Sequence, residues 1–471
     1  MTSSSNAAAA GWALALAALA SFTVALDALV TATALTSIQR SFDASLAELQ
    51  WTTNAYNLSF AVLLSVGAVL GDRFGRKRIF VIGLVLFALA SIACAVSSSI
   101  VMLIASRALQ GVGAALVTPV SLALLSVAYP ADKRAKALGI FGGITGLAPL
   151  SGPTIGGIIS ETLHWSWIFW INIPIVLVLV PLALARLKES RGQGSKVDFL
   201  GIALVAGFSF GVAWGLMRAT EIGWRSTEVI VSLAGALILI LAFIIWQRRA
   251  ADPVIPPRLF AGNGFAAGLA AAFCLYGALY ATLFFITQFE QVAQGFGPLE
   301  AGLRLLPWTA TLFLVAPIAG SLVNRVGERA LGVTGLALNT AGLIWLAVAL
   351  AVELPLAAMV PALVLMGVGV SLATPAVQSG VMRAAQQSDL GKASGAFSMG
   401  RFLGGAFGVA ATATVFASMG SYASSDAFTV GFRAVLWFLA AMTAVGALAA
   451  FALPRASRKP RSQVLHQRPA E

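Results

Sequence analysis

Charge is what this chain of 471 residues has least of. Asp, Glu, Lys and Arg together make 10% of it, where soluble domains carry about 25%. With 59% hydrophobic residues and a mean hydropathy of +0.90, a soluble globule could not hide its apolar surface, so lipid is the expected solvent. The two cysteines, Cys94 and Cys274, lie in apolar runs of different halves, which argues against a disulfide and leaves no thiolate metal site. Two histidines, His164 and His466, are too few for a histidine metal site. No metal, no cofactor and no enzymatic activity are expected, since no soluble domain or nucleotide loop interrupts the apolar runs. The net charge is +12, but the basic residues punctuate the gaps between runs. A nucleic-acid binder would gather them on one face; this spacing is how signals for membrane topology look.

What is present is a series of fourteen apolar stretches. A hydrocarbon core of about 30 Å needs about 20 residues of helix. On that scale the spans read 12–36, 48–70, 79–97, 101–123, 136–160, 167–186, 199–217, 228–247, 264–289, 299–323, 331–351, 356–380, 392–418 and 430–453. The first run has no basic residue before it, Arg40 being the earliest, so 12–36 reads as an uncleaved span rather than a secretory signal.

With the N-terminus placed in the cytoplasm, most of the 30 basic residues fall in inside loops. Arg73, Arg76, Lys77 and Arg78 follow span 2, Lys133, Arg134 and Lys136 follow span 4, and Arg455, Arg458, Lys459, Arg461 and Arg468 sit in the tail. Skipping one span would invert every later loop, so an even number with both ends inside fits best.

The chain also repeats itself. "GVGAALVTP" at 111–119 matches "GVGVSLATP" at 367–375, and "KALGIF" at 136–141 matches "KASGAF" at 392–397, both at an offset of 256. A weaker echo sets "GDRFGRKR" at 71–78 against "GSLVNRVGER" at 320–329. The expected organisation is a six-helix bundle over 1–190, two inserted spans over 191–258, a second six-helix bundle over 259–453 and a basic tail over 454–471. Paired halves of this kind place a substrate site at the midplane between the repeats.

Several residues break the apolar pattern. Span 1, "FTVALDALVTATAL", carries Asp27 in its middle. A carboxylate inside a span costs about 2.5–3.5 kcal/mol on insertion scales, and loss of water disfavours the charged form of a carboxyl group. An acid there is a natural place to load and unload a proton. The bland alternative is a structural hydrogen bond to another span. Span 4, "SRALQGVGAALVTP", buries Arg107 with Gln110 one turn on and on the same face. Gly111 and Gly113 allow close helix approach. The loop "LGDRFGRKR" at 70–78 puts Gly75 where a tight turn is needed. Asp72 is expected against the N-terminus of a neighbouring helix, with Arg73, Arg76 and Lys77 facing acidic groups. Span 5, "LAPLSGPTIGGII", combines Pro149 and Pro153 with a small-residue stripe of Gly152, Gly156 and Gly157, the composition of a bent, tightly packed helix.

These residues together resemble the major facilitator superfamily. Leu70 to Lys77 match its loop pattern, with Ala68 where the family has a leading Gly. Arg107, Gln110, Gly111, Gly113 and Pro119 match its span-4 pattern, and Gly152, Pro153, Gly156 and Gly157 its span-5 antiporter pattern. The fourteen spans and "HWSWIFWINIP" at 164–174 are similar to the drug:proton antiporter branch. In that branch's span-1 pattern, Leu26, Asp27, Ala34 and Leu35 match, while Ala32 stands for an Asn and Thr36 for a Pro.

The resemblance implies an all-α membrane protein of the major facilitator fold with 14 transmembrane helices, multi-pass in a bacterial cytoplasmic membrane. It implies proton-driven efflux of amphipathic, cationic or lipophilic compounds, with protons, a small-molecule substrate and lipid as partners. Asp27 and Arg107 are the expected proton-coupling residues, and Asp72, Arg73, Gly75, Arg76 and Lys77 the conformational loop. Asn54, Tyr56, Asn57, Gln110, Phe285, Trp308 and Arg401 are the expected cavity residues, and Glu290, at the end of span 9, is expected to be solvated at the outer interface. A dedicated exporter of one metabolite, a proton symporter and a non-transporting sensor stay open as alternatives.

Overall fold

The computed structural model describes residues 2–454 apart from 45, 149–150, 153–154, 157, 160–162, 193–197, 251–252 and 387–388. The described residues form helices and connecting turns, with no strand among them. Lipid offers no hydrogen bonds to a backbone, so a chain this apolar must satisfy its peptide groups within each helix. Where helix ends leave the apolar zone, short polar side chains take over. Ser99, Ser226 and Ser424 each accept a bond from the amide three residues on, and Asp198 does the same for Gly201.

In chain order the helices are α1 (Thr2–Thr33), α2 (Leu35–Phe42), α3 (Leu46–Phe74), α4 (Arg76–Ala95), α5 (Ile100–Ala128), α6 (Ala131–Thr145), α7 (Trp167–Trp170) and α8 (Asn172–Arg186). Then come α9 (Phe199–Ile222), α10 (Thr227–Gln247), α11 (Asn263–Gln288), α12 (Pro298–Arg304), α13 (Leu306–Val326), α14 (Glu328–Ala349), α15 (Leu356–Arg383), α16 (Leu390–Met419) and α17 (Ser425–Ala450). Among the described residues 12 helices are long and apolar enough to cross a membrane, and 13 if the two arms of α3, which meet at 50°, count as one span. The expected fourteen are therefore not reached. The shortfall falls at the fifth expected span, 136–160: α6 ends at Thr145, and beyond it Pro149, Pro153 and Gly157 lie outside the described residues. The basic tail does too, save Pro454.

The internal repeat is visible as packing. In the first copy α3 and α4 lie against α5; in the second α13 and α14 lie against α15. The repeated glycines do matching work in each. Gly111 and Gly367 meet the backbones of α3 and α13, at Tyr56 and Trp308; Gly113 and Gly369 meet α4 and α14, at Phe87 and Asn339. A side chain at any of the four would overlap its neighbour. The weaker echo is also real: Gly75 and Gly327 both turn the chain with positive φ, 109° and 95°, into α4 and α14.

Between the two copies, α9 and α10 pack on each other, and α9 also lies on α3 and α16. The Trp214 ring is 5.5 Å from Trp51 of α3, and Ser209 bonds Met399 of α16 at 3.4 Å. On the outer faces Leu237, Ile238 and Leu241 of α10 and Phe313, Leu314 and Ile318 of α13 are exposed, as suits contact with lipid.

Candidate functional site

Asp27 lies where α1, α3, α4, α5 and α8 converge, and it is 2% exposed. Its Oδ2 accepts from Arg107 Nη1 at 2.6 Å, and the pair is shut away from solvent on both sides. Its Oδ1 accepts from Gln110 Nε2 at 2.8 Å and from Asn172 Nδ2 at 2.7 Å. Arg107 also donates to the Gln110 side-chain oxygen at 2.6 Å and to the Thr52 carbonyl at 3.1 Å. Ser91 holds Gln110 and Asn172 from the α4 side, at 2.8 and 3.3 Å. The guanidinium lies 4.3 Å from the centre of the Tyr56 ring, and the Tyr56 hydroxyl donates to the Val24 carbonyl at 3.1 Å.

The charges of the pair cancel, which is the condition for keeping either inside a membrane. Three donors face the two carboxylate oxygens. Oδ1 takes two of them and Oδ2 one, so the carboxylate is held from three sides by α5 and α8.

Of the expected cavity residues, Gln110 and Tyr56 belong to this network and are buried in it, so neither presents a free face to a substrate. Asn54 and Asn57 sit half-buried on α3. Phe285 is enclosed by aromatic rings of its own half, 5.3 Å from Phe416 and 6.3 Å from Phe432, and Trp308 is 2% exposed in the same core. Both are buried in one apolar cluster of the second half. Arg401 lies elsewhere, 5.3 Å from the Tyr276 ring.

Glu290 departs from expectation. The helix does not stop at Gln288 but winds through a π turn, Phe289–Ala293. That turn carries Glu290 inside, fully buried, where Arg304 Nε meets it at 2.6 Å. It is an enclosed ion pair rather than a solvated acid.

The loop after α3 is built around two carboxylates. Arg76 grips Asp72 at 2.7–2.8 Å, and the Asp72 carboxylate stands against Gly391 in the first turn of α16, so close that any Cβ there would overlap it. This is the expected carboxylate at a helix N-terminus, and it ties α3 to the second copy of the repeat. Glu189, to which the sequence pointed in no way, accepts from the amides of Lys77 and Arg78 at 3.0 and 3.2 Å and so caps α4. Lys77 Nζ donates to the Leu184 carbonyl at 2.6 Å, while Arg73 is exposed. Further along the same end, Ser394 of α16 donates to the Pro119 carbonyl of α5 at 2.7 Å. Gly152 and Gly156 of the span-5 pattern are buried; Pro153 and Gly157 lie outside the described residues.

The Major Facilitator Superfamily model matches residues 17–199 and 193–409. The chain is 34% identical to the multidrug resistance protein Stp of Mycobacterium tuberculosis, over 84% of this chain and 74% of that one. It is 30% identical to the methylenomycin A resistance protein of Bacillus subtilis, over 88% and 90%. To the cephamycin export protein CmcT of Amycolatopsis lactamdurans it is 32% identical, over 97% and 95%. Among solved structures it superposes on the proton:xylose symporter XylE with a TM-score of 0.68, covering 94% of this chain and 95% of that one at 14% identity, a likeness of fold alone.

Proposed function

Because the chain belongs to the major facilitator superfamily, we propose that it is an efflux transporter that exports amphipathic small molecules in exchange for protons. Relatives named for multidrug resistance and antibiotic export support the direction and the kind of cargo. The single observation that carries the coupling is the enclosed Asp27–Arg107 pair with its donors Gln110 and Asn172.

The cycle follows from that arrangement. In one facing state Asp27 is held by Arg107, Gln110 and Asn172. A proton entering from outside breaks the donor set, releases Arg107 from its partner and favours a different packing of α1, α4 and α5. Substrate and proton bias the same two facing states in opposite senses; a ligand with equal affinity for both would shift nothing. The Asp72 contact with the α16 N-terminus stabilises the state closed at the basic end, and breaking it is part of opening.

On this reading the chain crosses the membrane fourteen times, with α6 and the residues up to 160 as the fifth span. The basic end and both termini face the cytoplasm of a bacterial cell. Residues 1–190 and 259–453 are the two rocking halves, 191–258 is the inserted pair, and the stripe of Gly152, Pro153, Gly156 and Gly157 limits leakage between facing states. Transport of a single antibiotic is the second reading, favoured by the relative named for cephamycin export, which the chain matches over almost its whole length. A substrate screen in proteoliposomes with an imposed pH gradient tests both: several unrelated dyes moving support broad efflux, one compound alone supports the narrow exporter, and no pH-driven flux removes the proposal.

A further inference from the structure

Three arginines lie within the body of the bundle at depth, and they differ in what stands opposite them. Arg107 has Asp27 at 2.6 Å, and Arg304 has Glu290 at 2.6 Å. Arg401 has no carboxylate opposite it among the described residues; the polar groups that act on it are the hydroxyls of Tyr276 and Tyr280. Among the described residues it is also the charged side chain that stands farthest from either end of its helix. It stands 11 residues beyond Leu390, the nearer end of α16, which at 1.5 Å per residue is about 17 Å, or half a bilayer core. Asp27 and Arg107 are nearer to the ends of their helices. An unpaired charge at that depth costs about 2.5–3.5 kcal/mol on insertion scales and marks a functional site by default.

The surroundings say what kind of site. The Arg401 guanidinium lies 5.3 Å from the centre of the Tyr276 ring, and the Tyr276 hydroxyl is near both Arg401 and Thr374 of α15. Thr374 stands opposite Gly142 of α6, where an added Cβ would just meet its methyl group, and Phe402, next to Arg401, meets Phe60 of α3 edge-on at 5.5 Å. The cluster therefore lies where the second copy of the repeat faces the first, at mid-depth. Its charged group donates and does not accept. Its apolar walls are rings: Phe397 against Tyr276 at 6.3 Å, with Phe60 and Phe402 alongside. Arg401 as a residue is half-buried.

We propose that Arg401 and Tyr276 form an anion subsite midway through the bundle, and that the cargo is an aromatic or otherwise amphipathic acid whose carboxylate or phenolate supplies the missing counter-charge. The inference rests on the transport reading above and names its substrate class. The family resemblance implies cationic or lipophilic cargo, but Arg107 neutralises the one acid of the first span, and the charge left over is positive. A cation would be repelled by the same group that an acid satisfies.

Three probes share one ring and differ only in charge: 2-naphthoate, its methyl ester and 2-naphthylmethylammonium. Their binding to the purified full-length protein is measured by isothermal titration calorimetry at neutral pH. Wild type is expected to bind naphthoate about tenfold or more tightly than the ester, and the ammonium weakest, as a charge-assisted bond requires. Arg401→Gln brings the naphthoate-to-ester ratio to about one, whereas Arg401→Lys, which keeps the charge, retains part of the preference. Tyr276→Phe keeps the ring, removes one donor and lowers the ratio severalfold; with Arg401→Lys it supplies the answer if Arg401→Gln does not fold. Equal binding of ester and naphthoate by wild type, or an unchanged ratio in Arg401→Gln, overturns the subsite. The titration needs no pH gradient, so a failed subsite leaves proton-driven transport, measured separately in vesicles, to stand or fall by itself.

Discussion

Arg107 Nη1 and Asp27 Oδ2 lie 2.6 Å apart although 80 residues separate them in the chain, and neither side chain reaches solvent. Removing one partner strands a charge in a low-dielectric interior, which costs about 3–5 kcal/mol, whereas removing both costs far less. Arg107→Gln is therefore expected to lower thermal stability sharply, and Asp27→Asn with Arg107→Gln to recover most of the loss. Melting curves in one detergent compare the variants. Additive losses in the double variant would show that the two groups do not act on each other.

Asn172 is expected to matter through a single atom. Its Nδ2 donates to Asp27 Oδ1 at 2.7 Å, and truncation to Ala removes a bond to a charged group worth about 1.5–3 kcal/mol. Asn172→Ala should insert normally and shift the pH dependence of transport, while Asn172→Asp, which faces one carboxylate with another, should be far worse. Rates recorded at several external pH values separate these outcomes from a simple loss of protein. A flat, unchanged profile in Asn172→Ala would remove it from the coupling network.

The loop contact is expected to govern rate rather than affinity. Asp72→Asn takes away the charge at the α16 N-terminus, and Gly75→Val forces a β-branched residue to φ 109°. Both should slow turnover several-fold with equilibrium binding of substrate little altered, because the loop lies at the end of the bundle. Normal turnover with weakened binding would contradict the assignment.

Glu290→Leu should cost stability only if Arg304 remains. The pair is enclosed and its geometry is good, so Glu290→Leu alone leaves Arg304 unpaired, and Glu290→Leu with Arg304→Met is expected to restore the melting temperature. A double variant no more stable than the single one would mean that the π turn, not the pair, holds this corner.

What could be read from the sequence was governed by how local the signal is. Asp27, Arg107 and Gln110 stand out because charge and amide groups are rare in apolar runs, and the 107/110 spacing puts two of them on one face. Which acid Arg107 would meet was not legible, since nothing local links α1 to α5. Ser91 and Asn172 carry no local signal, because one small polar residue in a span is ordinary, even with the asparagine inside the "WINIP" segment. Glu189 caps α4 from more than a hundred residues away, and no local pattern announces that. Glu290 departs from the sequence expectation for a backbone reason: a π turn extends the helix and rotates the acid inward, and apolar periodicity cannot report it. The repeat was legible because its glycines answer to the same close helix contacts in both copies.

The role proposed for Asp27 is to exchange a proton for a change of packing. The measurement that tests this most directly is substrate flux in proteoliposomes after a pH jump, wild type against Asp27→Asn, with insertion checked by equal protein recovery. Asn keeps the volume and can still accept from Gln110 and Asn172, but it cannot titrate, and its amide opposes the Arg107 donor. The expected result is concentrative, pH-driven flux in wild type, and in Asp27→Asn none beyond the downhill leak. A mutant that still accumulates substrate against its gradient on the same pH jump would show that the proton is carried elsewhere.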